Sequence, residues 1–242
     1  MTYQTLNAEA VAEYLHLTPD DIAQRVKCNE IPFEKRGRRF VFPKDEIDLW
    51  ASQRILRLPD RRLTEYHRKS TRDTSAIPAR QSLLAELIRP ESVVAAMEAK
   101  TKSSVLRELV ALAEMTGYVN NSRDFLASLV SREARSSTGM PGGFALPHAC
   151  VLDPYLFETS FIVLGRTAQP IYFGAPDSEP TRLFFLVCSK EGPLHLHILA
   201  RLCLIARVTA VLRELGEAPD APAMHTLLLA AEEEALADAP HN

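Results

Sequence analysis

Closely spaced cysteines are missing from this sequence. Its four, Cys28, Cys150, Cys188 and Cys203, stand far apart, which excludes zinc-ribbon and dithiol-redox spacings. Also missing is any apolar run near the ~20 residues needed to cross a bilayer. The N-terminus lacks the basic flank and apolar core of a secretory signal. Free thiols without an export signal predict a cytoplasmic protein with no membrane insertion. Neither sign of charge dominates, with 28 Lys/Arg against 31 Asp/Glu. No internal repeat is visible. Glycine is scarce, nine in 242 residues.

The charge is unevenly placed. Residues 1–80 hold 15 Lys/Arg and 12 Asp/Glu, the remainder 13 and 19. A basic first part on an acidic second part points to an anionic partner for the first. The length allows two domains. A hydrophobic share of 46% is ample for packed cores, which sets a disordered chain aside.

Residues 6–15 predict a short helix with Asn7 as N-cap and Val11, Tyr14 and Leu15 on one face. After His16-Leu17, Thr18-Pro19-Asp20-Asp21 opens a second helix, with a capping threonine, proline at the first helical position and acids in the first turn. Residues 31–42 predict a β-hairpin turning near Gly37, its tip carrying Lys35, Arg36, Arg38 and Arg39. Pro43 to Glu46 begins a third helix, in which Trp50 is expected as core. Val11-Ala12-Glu13-Tyr14-Leu15, Ile31-Pro32, Gly37-Arg38-Arg39, Phe42 and Asp45-Glu46-Ile47-Asp48-Leu49-Trp50 together resemble the winged helix-turn-helix of excisionases and MerR-type regulators. The resemblance covers residues 6–54. It implies DNA as a partner, with the second helix in the major groove and the basic wing on the backbone. Gln24, Arg25 and Lys27 are then the contacts of the second helix, and Lys35, Arg36, Arg38 and Arg39 those of the wing. Asp20 and Asp21, at the start of that helix, would repel phosphates.

Residues 54–80 carry eight Lys/Arg against three Asp/Glu, and Ser, Thr and Pro interrupt any apolar pattern. This stretch reads as a basic linker over residues 55–81, in which Leu56-Leu58 and Leu63-Tyr66 are able to dock or to extend the third helix. From Ser82 to Asn242 the pattern is that of a second domain. Residues 92–97 predict helix, and longer helices are expected from Lys102 to near Gly117 and from Arg123 to Arg135. Residues 161–164 and 183–187 are continuous apolar runs, as in strands covered on both faces. Residues 171–173 form a shorter piece between them. A helix begins at His195, and a last one runs from Met224 to Ala237. Helices around a mostly buried sheet give an α/β layered domain.

Three of the nine glycines fall within residues 139–143. Backbone N–H groups in such a loop can cradle an anion. The apolar run Phe144-Ala145-Leu146 predicts a brief strand, and Pro147 ends its pairing. His148 is thereby placed at a strand end beside the loop. On local chemistry alone, a histidine so placed is more often a hydrogen-bonded structural residue.

Arg132-Glu133, Ser137-Thr138-Gly139 and Gly143-Phe144-Ala145-Leu146-Pro147-His148 resemble the signature of the phosphotransferase-system EIIA domains of the fructose, mannitol and nitrogen-regulatory type. The resemblance runs from about Ser82 to Ala237. Phe144 and Pro141 depart from the pattern without removing a reacting group. The resemblance implies a layered EIIA-type domain with helices around a mixed sheet, preceded by the small winged helix-turn-helix. It implies that His148 carries a phosphoryl group. Arg132, 16 residues before it, falls at the family's active-site arginine, and His195, in its His-Leu-x-x-Leu context, at the second histidine.

Such chemistry needs a neutral imidazole nitrogen and donors for the phosphoryl oxygens, and no cofactor or metal. Arg132 offers a planar fork of N–H groups. Thr138 and the N–H groups of Gly142 and Gly143 are further candidate phosphoryl-binding groups. A metal set of His148, Cys150, His195 and His197 matches no standard zinc spacing, and His197 points elsewhere if the segment is helical. His16, His67, His225 and His241 read as surface or turn residues. The implied partners are a histidine phosphocarrier similar to HPr, DNA, and an EIIB or regulatory target. Three alternatives remain open: a sugar-pathway EIIA, a docking module that is not phosphorylated, and a DNA-binding protein whose second domain senses a ligand.

Overall fold

A computed structural model of the chain describes residues 4–73, 82–149 and 155–237. The first part runs β1 (Thr5–Leu6), α1 (Ala8–Tyr14), α2 (Pro19–Lys27), β2 (Glu34–Arg36), β3 (Arg39–Pro43), α3 (Lys44–Leu56) and α4 (Asp60–Asp73). Local chemistry places its breaks. Asn7 Oδ1 accepts from the Ala10 N–H at 2.8 Å and starts α1. Thr18 and Asp21 form a reciprocal capping box, with Pro19 at the first helical position of α2. The hairpin turns at Gly37, in a left-handed conformation with φ of 64°. The three short strands pair in the order β1-β3-β2.

The second part holds α5 (Leu83–Leu87), a single 3₁₀ turn (Pro90–Ser92), β4 (Val93–Met97), α6 (Lys102–Met115), α7 (Ser122–Arg135), β5 (Gly139–Met140), β6 (Phe144–Ala145), β7 (Phe161–Ile171), β8 (Thr181–Cys188), α8 (Gly192–Val208), α9 (Val211–Glu217) and α10 (Ala221–Ala237). A mixed sheet is ordered β4-β7-β8-β6-β5. Strand β7 lies parallel to β4 and antiparallel to β8, and β6 lies parallel to β8. Alternate residues serve opposite faces. Phe161 and Val163 pack with Leu109 and Phe125 of α6 and α7, while Ile162 and Leu164 pack with Leu199 and Leu228 of α8 and α10.

Two strand assignments differ from the sequence expectation. Residues 93–97 are strand β4, not helix. An Ala- and Val-rich run of five residues has no decisive periodicity, and pairing with β7 settles it. Residues 171–173 are not a separate piece, because β7 continues through Ile171 past a register shift.

The linker expected over residues 55–81 is corrected over its first part. Asp60–Asp73 is helix α4, and its Leu63, Tyr66, His67 and Ser70 are buried. These four recur at i, i+3, i+4 and i+7 and so form one face. The charges on the opposite face disguise it. Residues 74–81 lie outside the described residues, as do Cys150 and His241.

Helix α8 joins the two parts. All residues from His195 to Ile205 are buried. One side of α8 rests on the sheet, and the other receives α3 and α4. A helix apolar on every side must be covered on every side. One continuous core therefore reaches from Val11 to Ala235.

Inside this joint is a closed polar network. Arg201 donates to Glu232 at 2.6 Å and to His67 Nε2 at 2.6 Å, and Ser70 Oγ meets His197 Nδ1 at 2.7 Å. Glu232 also accepts from the N–H groups of Leu83 and Leu84 and from the Ser82 hydroxyl. Burial and the neighbouring Arg201 hold His67 and His197 neutral, with pKa values of about 2 and about 3. His67, expected at the surface, is thus a buried partner of α8. Trp50, expected as core, is only half-buried, donating to the Glu30 carbonyl and flanked by Arg25 and Arg54.

Candidate active site

Strand β6 ends at Ala145, and Pro147 carries the chain on to His148. The Val187 N–H of β8 donates to the Pro147 carbonyl at 2.9 Å, and His148 forms an isolated parallel bridge with Val187. Arg132 arrives from the last turn of α7, where a cation also suits the helix dipole. His195 projects from the first turn of α8.

These three side chains meet. Arg132 Nε donates to His148 Nε2 at 3.1 Å, and Arg132 Nη1 donates to the Ser136 carbonyl at 2.7 Å. His148 Nδ1 lies 2.8 Å from the Leu146 carbonyl oxygen. A carbonyl only accepts and a guanidinium only donates, so the partners assign the tautomer. Nδ1 carries the proton, and Nε2 presents a lone pair beside Arg132. Burial first, then Arg132 and His195, keeps the His148 pKa well below the usual histidine range. The imidazole is neutral at neutral pH, as a nucleophile must be.

The His148 and His195 rings are 4.8 Å apart at 61°. Burial, with Arg132 and Lys44 nearby, lowers His195 to about 3. Its Nε2 lies 3.4 Å from Ser52 Oγ, and Ser52 Oγ donates its proton to the Asp48 carbonyl at 2.8 Å. Ser52 therefore acts as acceptor toward a His195 Nε2–H.

The glycine loop is placed differently from expectation. Strands β5 and β6 pair Gly139 with Ala145 and Met140 with Phe144. Pro141-Gly142-Gly143 is consequently the hairpin turn, with Gly142 and Gly143 at φ of 95° and 79°. His148 lies beyond the opposite end of β6. The Gly142 N–H donates to Asp177, and the Gly143 carbonyl accepts from Arg182 and Leu183. Thr138 gives its hydroxyl and its N–H to Glu133, which also pairs with Lys102 at 2.7 Å. Gly142 and Gly143 thus bond at the hairpin turn, while Thr138, opposite Leu146, bonds Glu133.

The metal alternative is not assembled among the described residues. His197 turns away from His148 toward Ser70 and Arg201. The residues expected at DNA lie apart from this site. Lys35, Arg36, Arg38 and Arg39 are exposed on the β2–β3 hairpin, and Arg36 pairs with Glu34. Gln24 and Lys27 are exposed on α2, while Arg25 pairs with Glu30.

Sequence reasoning missed Tyr14, Lys44, Asp48 and Ser52. The last three recur at i, i+4 and i+8 along one face of α3, and Asp48 and Ser52 are buried. Lys44 and Tyr14 both bond the Asp48 carboxylate. The available signal was the spacing of these three polar residues, four apart along α3.

Residues 86–231 match the family described as phosphoenolpyruvate-dependent sugar phosphotransferase system, EIIA 2. The chain belongs to this EIIA family. It is 33% identical over 148 residues to a nitrogen regulatory protein of Bradyrhizobium diazoefficiens, covering 60% of this chain and 94% of that protein. Nitrogen regulatory protein IIA-Ntr of Neisseria meningitidis superposes with a TM-score of 0.55 at 25% identity, over 60% of this chain and 99% of that one. The mannitol enzyme IIA of Escherichia coli, solved in complex with phosphorylated enzyme IIB, matches in fold with a TM-score of 0.52 at 17% identity, over 58% and 96%. In the EIIA-type fold the matched region carries His148, Arg132 and His195 within it. No single helix among the described residues is long and apolar enough to cross a membrane.

Proposed function

We propose that His148 accepts a phosphoryl group from the phosphohistidine of an HPr-like carrier in the cytoplasm. The observation that carries this reading is the tautomer: Nδ1–H is spent on the Leu146 carbonyl, and Nε2 holds a lone pair beside Arg132. In the transfer, Nε2 attacks phosphorus. The P–N bond of the donor breaks, and its electron pair returns to the donor imidazole. Negative charge sits on the three equatorial oxygens. Arg132 Nε gives up the Nε2 lone pair as phosphorus approaches, and the guanidinium then meets that charge. The Leu146 carbonyl supports the positive charge that the ring acquires. His195 Nε2–H is a second donor for a phosphoryl oxygen once it leaves Ser52.

The N-terminal part, in this reading, is a winged helix-turn-helix that binds DNA through α2 and the exposed Lys35-to-Arg39 hairpin. The protein then links phosphorylation to a regulatory output. The E. coli IIA–IIB complex supports a competing role, in which His148 passes its phosphoryl group to an EIIB and serves sugar uptake.

The test is incubation with phosphoenolpyruvate, enzyme I and HPr. Acid-labile phosphate should appear on His148 and be absent from His148→Ala. Undiminished labelling of that variant sinks the assignment. Addition of an EIIB separates the two roles, since only a sugar-pathway component discharges to it.

A further inference from the structure

An acceptor that must meet a protein donor needs an exposed nitrogen, yet His148 is 1% exposed, Arg132 1% and His195 3%. The first part of the chain reaches this site at His195 and at the start of α8. Ser52 of α3 stands on His195 Nε2. Lys44 lies close enough to lower the His195 pKa. Tyr14 of α1, bonded to Asp48 of α3, packs on Gly192 at the start of α8. A Cβ on Gly192 would sit 2.4 Å from Tyr14 Oη, so glycine there admits the tyrosine.

The cover is held beyond the site as well. Arg207 of α8 donates to the Leu58 carbonyl at 2.6 Å and to Asp60 at 2.9 Å, gripping the joint between α3 and α4. The seam is not packed throughout. A cleft of about 490 Å³ runs along it between Gln53 and Leu56 of α3, with Arg57 just beyond, and Ser136 and Ser137 after α7 with Met140 of β5.

We infer that helix α3, with Tyr14, is a built-in occupant of the phosphorylation face, and that the docked helix and a phosphoryl group on His148 exclude one another. The unphosphorylated chain holds α3 down. A phosphoryl group on Nε2 adds three oxygens and negative charge beside His195, on which Ser52 stands. It also competes with Ser52 for the His195 Nε2–H. A donor must wait for the open form, which lowers its apparent rate by the open fraction. Phosphorylation in turn keeps the first part released. The inference rests on the phosphoacceptor reading for its second half only, because the cover itself is independent of that chemistry.

The test uses the full chain with two opening variants, Gly192→Leu as a wedge under Tyr14 and Arg207→Glu at the α3–α4 joint. Neither removes a group of the His148 site. Diethylpyrocarbonate, which modifies neutral imidazole, reads the cover without any phosphate. His148 of the wild type should react about 100-fold slower than N-acetylhistidine, and either variant should gain about tenfold. Wild-type His148 reacting as fast as N-acetylhistidine overturns the inference, and this measurement needs no variant to fold. Phospho-HPr should label the opening variants about tenfold faster than the wild type. Equal rates overturn the inference and leave the phosphoacceptor reading standing. An accessible His148 that takes no phosphate overturns that reading, and the exclusion with it. Hydrogen exchange of the wild type closes the loop: stoichiometric phosphorylation should deprotect residues 44–56, and unchanged protection there overturns the inference.

Discussion

Arg132 Nε donates to His148 Nε2 at 3.1 Å, while the other ring nitrogen of His148 lies 2.8 Å from the Leu146 carbonyl oxygen. The two contacts divide the ring between a reactive nitrogen and an anchored one. Phosphate should therefore be found on Nε2. The ¹⁵N and ³¹P spectra of the phosphorylated protein distinguish the two isomers, and a phosphoryl group on Nδ1 would show that the ring turns over before reaction.

Arg132→Ala should slow phosphorylation by ~10²–10³, the usual cost of losing one positioned donor. Thr138→Val should behave differently. Its hydroxyl serves Glu133, so the variant should lose roughly 1–3 kcal/mol of stability with little change in rate. Single-turnover kinetics and urea unfolding separate the two effects. A slow but fully stable Thr138→Val would place that hydroxyl at the phosphoryl group after all.

Acid should loosen the protein through its buried histidines. His67, His195 and His197 fall to about 2, about 3 and about 3, and burial is the main cause in each. Unfolding returns each ring to an ordinary value near ~6.5. Below that pH the unfolded chain binds protons that the folded chain refuses. Stability is thus full above about pH 6.5 and declines as pH falls, by about 1.4 kcal/mol per pH unit for each such histidine. Urea midpoints between pH 7.5 and 4.5 check the sign, and a midpoint independent of pH would contradict the burial of these rings.

Glu232→Ala should destabilise the fold by ~3–5 kcal/mol, because it strands the fully buried Arg201 guanidinium. It also leaves the N–H groups of Leu83 and Leu84 without their carboxylate. The double variant Arg201→Met, Glu232→Leu should recover much of the loss, since no buried charge is then left alone. Chemical denaturation of the three chains measures this, and additive losses would refute the pairing argument.

If the exposed hairpin binds DNA, its contacts are to phosphates. Arg38→Ala with Arg39→Ala should weaken binding on every sequence alike and flatten the salt slope by about one unit per lost contact. Gln24→Ala should instead change which sequence is preferred. Fluorescence titration from about 50 mM salt upward compares them. Absence of binding with His148 in either phosphorylation state would make the first part a protein-binding module.

The helix caps at Asn7 and Thr18, the turn at Gly37, the buried strands and the ordered signature ending at His148 were all legible in the amino-acid sequence. Each depends on neighbours a few residues away, where side-chain type and period decide the outcome. Pro147 and the apolar run before it likewise foretold a histidine at a strand end. Tertiary structure decided the rest. It made Val93–Met97 a strand by offering β7 as a partner. It turned the charged stretch after Leu58 into a packed helix, because α8 supplied an apolar face for Leu63 and a buried arginine for His67. It sent the glycine loop to the far end of its hairpin through the register of β5 on β6. It also set Ser52 on His195, a contact between residues 143 apart. No local pattern encodes such a contact, since it exists only when two separately folded surfaces meet and exclude water between them.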